Sequence, residues 1–403
     1  MKYLIVGAGA FGASLALYLK KAHPDVEIDL IDCTPFPNPS AAAHDLNKII
    51  RAEYEDPMYM SLALEAIDIW RNDPIYKPYF HEIGIIFAGI LEPGLKVVEN
   101  YKKLTGKSPA KLLEPDEAKP KFDGIWRDAD WTGAAIDLGM KYAVHTVTGV
   151  VFDESGATTG VKTAENEVLL ANRVVLCTGA RTAELLADSA PEKPELYTGD
   201  RLVAAAAAIC LFRVPESEMS KFTTIPAIVN PMGEIAGESI PPGPKRLCKC
   251  THELSFKNDT FHEASKTTIS IPPKAASQKV WSQALPVGLK EETHKIAKKM
   301  YGSYVEGLEP ETYRMCWDAI TPNQDFVICP HPASNNLFIA AGGSFHGWKF
   351  LANIGIYITQ MLDGELSEEK KARWAWDRSN EGGNCAMYLP QRDLKDIKGY
   401  AKM

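Results

Sequence analysis

The chain lacks the features that mark several large classes of protein. No apolar stretch approaches the roughly 20 residues needed to cross a bilayer, and no run of Lys and Arg is long enough to follow a nucleic-acid backbone. The 403 residues carry a formal net charge of −8, which also disfavours nucleic acid as a partner. Internal repeats and low-complexity segments are missing. For this length, a globular enzyme with two sizeable lobes is the natural expectation.

The eight cysteines show no pairing pattern. Their number and spread are ordinary for a reduced compartment, so we expect no disulfide framework. Cys248 and Cys250 form a single C-x-C without a second pair at ligand spacing. This spacing favours two positions on one face of a strand over a zinc site. We therefore expect no metal centre.

The N-terminal segment has the order of a parallel α/β unit. A short apolar strand at Lys2–Val6 is followed by glycines, by a helix over about 10–22 and by a second strand at 26–31. A proline-containing loop then leads to a predicted helix near Asp45. Helical spacing of apolar residues predicts a long helix over 59–72.

The rest of the chain alternates between the two kinds of sheet. Three short strands over 150–170 predict a small meander, and 173–176 reads as a buried strand ending in glycine. Short strands and helices mix over 202–308, as in a lobe built on an antiparallel sheet. An apolar strand at 336–341 runs into glycines and then into a helix over about 348–362.

The glycine turn after the first strand has the spacing of a dinucleotide fingerprint. In Gly7-Ala8-Gly9-Ala10-Phe11-Gly12, the first glycine permits the tight turn, the second lets the backbone approach a pyrophosphate, and the third lets helix and strand pack closely. The helix N-terminus supplies oriented N–H groups for phosphates. Asp32 ends the second strand about 20 residues later, where a carboxylate accepts ribose hydroxyls. The turn does not separate FAD from NAD, but Asp32 disfavours the 2′-phosphate of NADP.

Later segments resemble the sarcosine oxidase family of FAD-dependent amine oxidases, and within it the fungal fructosyl amino acid oxidases (amadoriases) and saccharopine oxidases. The resemblance covers nearly the whole chain in the right order and is carried by these motifs: Cys316-Trp317-Asp318-Ala319-Ile320-Thr321-Pro322, Gly342-Gly343-Ser344-Phe345-His346-Gly347-Trp348-Lys349, Asp45-Leu46-Asn47-Lys48-Ile49-Ile50-Arg51 and Pro390-Gln391-Arg392-Asp393.

The resemblance implies an α/β fold with a Rossmann-like FAD-binding lobe on a parallel sheet and an α+β substrate lobe on a mainly antiparallel sheet, as in D-amino acid oxidase and sarcosine oxidase. We expect residues 1–82, 135–198 and 319–403 to form the FAD-binding lobe. Residues 83–134 and 199–318 are expected to form the substrate lobe.

The resemblance also implies site residues. Cys316 would carry the flavin through an 8α-S-cysteinyl bond; the alternative is a buried structural cysteine. Lys249 would sit near flavin N5 and stabilise superoxide. Lys349 and Arg392 would hold the substrate carboxylate, and Glu253 its distal polar part. Further cofactor contacts are expected at Gly7, Gly9, Ala10, Phe11, Gly12, Asp32, Cys33, Ser40, Lys48, Gly179, Gly343, Phe345, His346, Gly347 and Lys349.

Three features depart from the family pattern. Arg51 stands where sarcosine oxidases place a carboxylate arginine but many fructosyl amino acid oxidases do not, which hints at a substrate with more than one carboxylate. Between the segment 137–143 and the meander, a helix and a strand usual in the family are absent, because 144–149 runs almost directly into the meander. The loop 233–246 lacks the usual phenylalanine-rich approach.

The predicted reaction is oxidation of a secondary amine in an N-substituted amino acid, with hydride transfer to FAD, imine hydrolysis and reduction of O₂ to H₂O₂. The alternatives are a biosynthetic flavoenzyme whose imine cyclises and an inactive homologue poor in FAD. Partners would be a small amino-acid-derived substrate and O₂, without nucleic acid or membrane, and the protein would be a monomer. The tail Ala401-Lys402-Met403 is a variant of the peroxisomal tripeptide, which favours the peroxisome over the cytoplasm through an import receptor.

Overall fold

The computed structural model describes residues 1–87, 91–111, 141–222, 225–230, 236–243, 245–273, 280–301, 305, 307–381 and 388–400. The tripeptide Ala401–Met403, the lobe boundary expected at 134/135, and parts of the segments 137–143 and 233–246 lie outside these residues.

The strands within this part of the chain are β1 Lys2–Val6, β2 Glu27–Asp32, β3 Ile85–Phe87, β4 Lys141–Val144, β5 Val147–Phe152, β6 Thr158–Thr163, β7 Val168–Leu170, β8 Arg173–Leu176, β9 Val203–Arg213, β10 Ala227–Asn230, β11 Gly237–Ile240, β12 Leu247–Lys257, β13 Asp259–His262, β14 Thr267–Ser270, β15 Thr312–Ile320, β16 Val327–Pro330 and β17 Leu337–Ala341.

The α-helices span Ala10–Ala22, Pro57–Asn72, Leu91–Thr105, Thr182–Ser189, Met219–Phe222, Val287–Tyr301, Ile354–Asp363 and Glu368–Arg373. None of the described helices is long and apolar enough to cross a membrane.

The first sheet has the order β16-β17-β8-β1-β2-β4, and each neighbouring pair is parallel except β16 with β17. Successive side chains of β1 point to opposite faces of the sheet, and each face is covered by other elements. Tyr3 and Ile5 pack with the helices Ala10–Ala22 and Pro57–Asn72. Leu4 and Val6 join the core under the three-stranded meander β5–β6–β7. The predicted parallel α/β sheet and meander are confirmed.

The second sheet has the order β15-β9-β12-β11-β10-β3 and is antiparallel except between β10 and β3. One face, which includes Cys248 and Cys250, packs against the helix Val287–Tyr301. The C-x-C therefore marks one face of a strand, as its spacing predicted. The opposite face carries Lys249 and Cys316, and the candidate site is built on it.

One sequence-based expectation about local structure was wrong. No helix forms near Asp45. Instead, side chains hold this segment. Asp45 accepts a local hydrogen bond from the amide of Leu46 at 2.7 Å, and Arg314 donates over long range to the carbonyls of Ala41 and His44. These long-range bonds take the place of helical hydrogen bonds.

The parallel sheet ends at β4, which pairs in parallel with β2 from Asp29↔Lys141 to Asp32↔Val144. Most of β4 belongs to the segment 137–143, so the expected absence of a helix and a strand between that segment and the meander stays a prediction. Four residues are too few to show a strand period in the sequence, so only the open edge of β2 selects this conformation. The helix predicted over 348–362 begins as a 3₁₀ turn, Gly347–Ala352, and becomes α-helical at Ile354.

Candidate functional site

The glycine turn leaves no room for side chains at two of its three glycines. A Cβ at Gly12 would lie 1.9 Å from the carbonyl oxygen of Gly7, and a Cβ at Gly7, whose φ is +101°, would lie 2.4 Å from that of Cys177. Gly9, by contrast, has no heavy atom within 4 Å of the Cβ position. It caps the helix that begins at Ala10. Close helix–strand packing and open space at the helix N-terminus suit a bound pyrophosphate.

Asp32 closes the neighbouring strand with its carboxylate directed at this turn. It accepts hydrogen bonds from the amide of Ala8 at 2.7 Å and the amide of Cys33 at 2.8 Å. The amide group of Asn38 donates to it at 2.5 Å, and Ser40 in turn donates to Asn38 at 2.7 Å. The carboxylate is thereby held beside the glycine turn, where it can accept a ribose hydroxyl with its remaining lone pairs.

Two further predicted contacts lie around the same turn. Gly179 follows β8, the strand next to β1, with φ of +51° and open space at its Cβ position. The ring of Phe11 packs against Gly347, where a Cβ would lie 3.1 Å from the ring, and edge-on against Phe326 at 5.3 Å. Phe11 thus joins the N-terminal glycine turn to the C-terminal glycine motif.

The C-terminal glycine motif is fixed by a carboxylate that we did not predict as a site residue. Asp318 accepts the amide of Phe345 at 2.9 Å, and a Cβ at Gly343 would lie 2.9 Å from the same oxygen. Ser344 and Phe345 have φ of +47° and +60°. A left-handed backbone at two non-glycine residues costs free energy that the surrounding contacts must offset. Burial raises the pKa of Asp318.

The register of the antiparallel sheet brings Cys316 to the face that also carries Lys249. Cys316 pairs with Ala207 and Lys249 with Leu211, and residues two apart on β9 share a face. Both side chains are buried.

Asp45 connects Lys249 to Lys48. One oxygen of its carboxylate accepts from Lys249 at 2.7 Å and contacts Lys48 at 3.1 Å. Although burial opposes it, these two ammonium groups hold the pKa of Asp45 well below its usual range. Burial likewise opposes a charge on Lys48, yet Asp45 and the nearby Cys316 sulfur keep its pKa above the ordinary value.

Arg51 and Lys349 meet around the ring of Tyr54. The Arg51 guanidinium carbon and the Lys349 amine each lie 5.2 Å from the ring centroid. The amine donates to the Tyr54 hydroxyl at 2.9 Å and to the carbonyl of His346 at 2.9 Å. Burial and the charge of Arg51 hold the pKa of Lys349 well below its usual range.

His346 lies beneath this pair in an aromatic cluster. Its ring stacks on Phe326 at 5.2 Å, and Nε2 lies 2.9 Å from the carbonyl oxygen of Gln324. Burial and then Lys349 lower the pKa of His346 to about 3. The imidazole is therefore neutral near pH 7.

Glu253 supplies an acid to the same pocket. Burial, with a contribution from Glu238, raises its pKa to about 8, although Arg51 acts in the opposite direction. Tyr388 donates to one carboxyl oxygen at 3.4 Å, and within the described part of the chain the other, Oε2, is buried without a hydrogen-bond partner. The Tyr388 ring packs on Phe345 at 5.9 Å. The acid and the two cations therefore border the glycine motif together.

Arg392 has different partners from Arg51 and Lys349. Its guanidinium donates to both carboxyl oxygens of Glu292, at 2.7 and 2.8 Å, and to the carbonyl of Leu254 at 3.0 Å. Glu292 belongs to the helix Val287–Tyr301 and also contacts His252 at 3.0 Å. Its role as a carboxylate ligand stays a prediction, and the described contacts favour a structural pair.

The residues around both glycine motifs fit the dinucleotide that the sequence predicts, because the turn, the acidic strand end and a buried cysteine beside two cations occur in one connected site. Tyr54, Asp318 and Glu238 were not foreseen. Tyr54 lies three residues after Arg51 in an extended segment, where no periodicity indicates which way a side chain faces. Across the described residues, no group of three His, Cys, Asp or Glu side chains could hold a metal ion.

Comparison with known proteins extends these observations. The model of the FAD dependent oxidoreductase family matches residues 2–361. L-saccharopine oxidase of Schizosaccharomyces pombe is 28% identical over 98% of this chain and 97% of its own length. Monomeric sarcosine oxidase of Bacillus sp. (strain B-0618) is 24% identical over 91% and 93%. Fructosyl peptide oxidase from E. terrenum superposes with a TM-score of 0.82 at 25% identity, covering 99% of this chain and 97% of that one.

Proposed function

Because the chain belongs to the FAD dependent oxidoreductase family, we propose that it oxidises the secondary amine of an N-substituted amino acid with O₂. The observation that carries the proposal is a group of side chains at the C-terminal glycine motif: Arg51 and Lys349 meet around Tyr54, and Tyr388, which packs on Phe345, donates to Glu253. The basic side chains of Arg51 and Lys349 would bind a carboxylate, and the buried carboxyl group of Glu253 would hydrogen-bond a polar group at the other end of the ligand.

The glycine turn and Asp32 would hold the pyrophosphate and ribose of FAD, and the loop around Gly343 and Phe345 would border its ring system. When bound, FAD would accept a hydride from the carbon next to the substrate nitrogen and pass two electrons to O₂. Cys316, close to the positive charge of Lys48, is the proposed point of covalent attachment. The carbon–nitrogen bond becomes an imine, which water hydrolyses to an amine and a carbonyl compound, and the second product is H₂O₂.

Arg51 and Lys349 would orient the substrate by its carboxylate, and orientation supplies much of the rate advantage in such a reaction. Arg51 keeps its charge at all relevant pH values because, although burial opposes it, Tyr54 and Tyr388 raise its pKa further. Glu253 would contact the distal polar part. Arg392 donates three of its five N–H groups to Glu292 and to the carbonyl of Leu254, so the other two leave it able to contact a further carboxylate of the substrate.

Lys249 would place a fixed positive charge where O₂ is reduced. Its ammonium is held by Asp45 at 2.7 Å and by the carbonyl of Asn47 at 3.2 Å. A preorganised charge stabilises the developing negative charge on oxygen without reorganisation.

Arg51, Lys349 and Arg392 together favour a substrate with more than one carboxylate, such as saccharopine, which the fission-yeast relative oxidises according to its name. We expect Arg51→Ala to lower kcat/KM for dicarboxylic substrates by roughly 10- to 100-fold, the effect of losing a charge-assisted contact. The matched control is Arg71→Ala, which removes an arginine from an exposed pair with Glu82 and should leave the kinetics unchanged. An Arg51→Ala enzyme with wild-type kcat/KM on dicarboxylates would contradict this assignment.

The direct test of the proposed function is H₂O₂ release from saccharopine, fructosyl-lysine, fructosyl-valine, sarcosine and pipecolate. We expect one of these secondary amines to be oxidised well above the others. Colourless protein, or yellow protein that turns over none of them, would refute the proposal.

Three finer features are part of the same proposal. The flavin stays attached after acid denaturation if Cys316 carries it. The protein is localised in the peroxisome, and an import receptor binds its tripeptide Ala401–Met403. It acts as a monomer with the two discontinuous lobes given above. Fluorescence imaging checks the localisation, and sedimentation checks the oligomeric state. Limited proteolysis checks the division into lobes.

A further inference from the structure

The hydrogen-bond directions around Tyr54 follow from one carbonyl group. The oxygen of Gln324 can only accept, so Nε2 of His346, 2.9 Å away, carries a hydrogen. The ring is neutral near pH 7, so Nδ1 has no hydrogen and accepts one. The Tyr54 hydroxyl lies 3.0 Å from Nδ1 and must therefore donate to it.

The same hydrogen-bond directions fix the orientation of the Lys349 amino group. Because the Tyr54 hydroxyl gives its hydrogen to His346, its oxygen accepts from the Lys349 amine at 2.9 Å. A second amine hydrogen goes to the carbonyl of His346 at 2.9 Å. Two hydrogens of the Lys349 amino group are thus committed, and its orientation is set before any ligand arrives.

The ring of Tyr54 also lies beside Arg51, whose guanidinium carbon is 5.2 Å from the ring centroid. The ring is buried, and the amide of Asn100 donates to the Tyr54 carbonyl at 3.2 Å, which anchors the backbone. The Tyr54 side chain therefore contacts both basic residues. Its hydroxyl and ring contact Lys349, and its ring contacts Arg51.

We infer that Tyr54 is a positioning residue for the substrate carboxylate: it orients the Lys349 amino group through its hydroxyl and packs its ring against the Arg51 guanidinium, so that both groups can bind one carboxylate. This inference rests on the proposed function only for the nature of the ligand. Tyr54 does not touch the reacting carbon, so its loss changes carboxylate binding more than the maximal rate.

The test uses the holoenzyme variant Tyr54→Phe, which keeps the ring and removes the hydroxyl. Glutarate, a dicarboxylate that has no amine to oxidise, is the probe, and its binding is followed by the visible spectrum of the bound flavin. We expect the Kd to rise about tenfold, as for the loss of one charge-assisted hydrogen bond. Tyr76→Phe, which removes another buried hydroxyl bonded to the carbonyl of Leu351, is the control and should bind glutarate as the wild type does.

A second comparison separates positioning from general damage. For the best amine substrate, Tyr54→Phe should raise KM about tenfold with kcat changed less than about threefold, and the methyl ester of that substrate should be turned over equally by variant and wild type. If acid and ester lose activity alike, or if glutarate affinity stays within twofold, the inference is overturned.

His346→Leu provides an independent route should Tyr54→Phe fail to fold. It removes the acceptor that fixes the hydroxyl, and we expect the same selective loss for the acid over the ester. Equal loss for both would count against the inference. Glutarate binding needs no turnover, so a wild type that binds glutarate without oxidising any amine would refute the proposed function and leave the role of Tyr54 standing.

Discussion

Glu253 shows how a single buried side chain ties stability to pH. In the unfolded chain its carboxyl ionises above a pKa of 4.5, whereas the folded protein holds its proton to about pH 8. Between these values the folded state binds more protons, so stability falls as pH rises. The stability that Glu253 contributes is fully present below pH 4.5 and is lost as the pH rises through about 8.

Glu253→Gln, which is neutral at every pH, removes this dependence. We compare the unfolding free energy of the variant with that of the wild type, measured by thermal or urea unfolding of the holoenzyme. The difference in favour of the variant should grow by roughly 2–4 kcal/mol between about pH 5 and about pH 9. Glu263→Gln, at an exposed position, is the control. Parallel stability curves for Glu253→Gln and the wild type would show that the carboxyl ionises normally.

Lys349 predicts a pH dependence of binding rather than of stability. Burial and Arg51 lower its pKa, while Glu238 and Glu53 act in the other direction. As pH rises, the free protein loses the ammonium charge at an unusually low pH, so carboxylate affinity declines. We expect glutarate binding to weaken as pH rises, at pH values below those at which an ordinary lysine loses its proton. Lys349→Arg, whose charge persists, should show a flat profile, and an unchanged slope would contradict the assignment.

At the scale of elements, the segment 41–48 is held in place by contacts from distant strands. Arg314 of β15 donates to its carbonyls, and Lys249 of β12 donates to Asp45 and to the carbonyl of Asn47. Asp45 in turn fixes both lysines that flank the predicted attachment point.

Asp45→Asn tests this arrangement. It keeps an acceptor oxygen but removes the charge, so Lys249 loses its fixed position. We expect kcat/KM for O₂ to fall about tenfold with smaller effects on the amine substrate, measured as H₂O₂ release at varied oxygen. Asp29→Asn, which breaks the pair between Asp29 and Lys2 near the surface, should leave oxygen kinetics unchanged. Wild-type oxygen kinetics in Asp45→Asn would refute the role.

At the scale of the whole molecule, the site lies where the two sheets meet. Ser344, in the loop after β17 of the parallel sheet, donates to the carbonyl of Ala319 near the end of β15 of the antiparallel sheet at 2.9 Å. Cys316 lies three residues earlier on the same strand. A cofactor held by both parts would therefore stabilise the entire chain, since anything that binds only the folded state raises its stability by mass action.

Cys316→Ala separates tethered from free cofactor. We expect the thermal midpoint of this variant to rise with added FAD, by the equivalent of about 2.7 kcal/mol at a hundredfold excess over Kd, whereas the wild type should not respond. Cys329→Ala, at another buried cysteine, controls for the loss of a thiol. If the wild type also responds to added FAD, the tether is absent.

The sequence by itself determined the nucleotide turn, the strand that ends in Asp32, the meander and both kinds of sheet, because backbone constraints and residue periodicity act locally. It also supplied the family, through motifs spread along the chain. Only the tertiary structure decided that Asp45 lies in a side-chain-held loop, that residues 141–144 complete the parallel sheet, and that Tyr54 joins Arg51 to Lys349. These outcomes depend on partners more than 80 residues away, and such contacts leave no period in the local sequence.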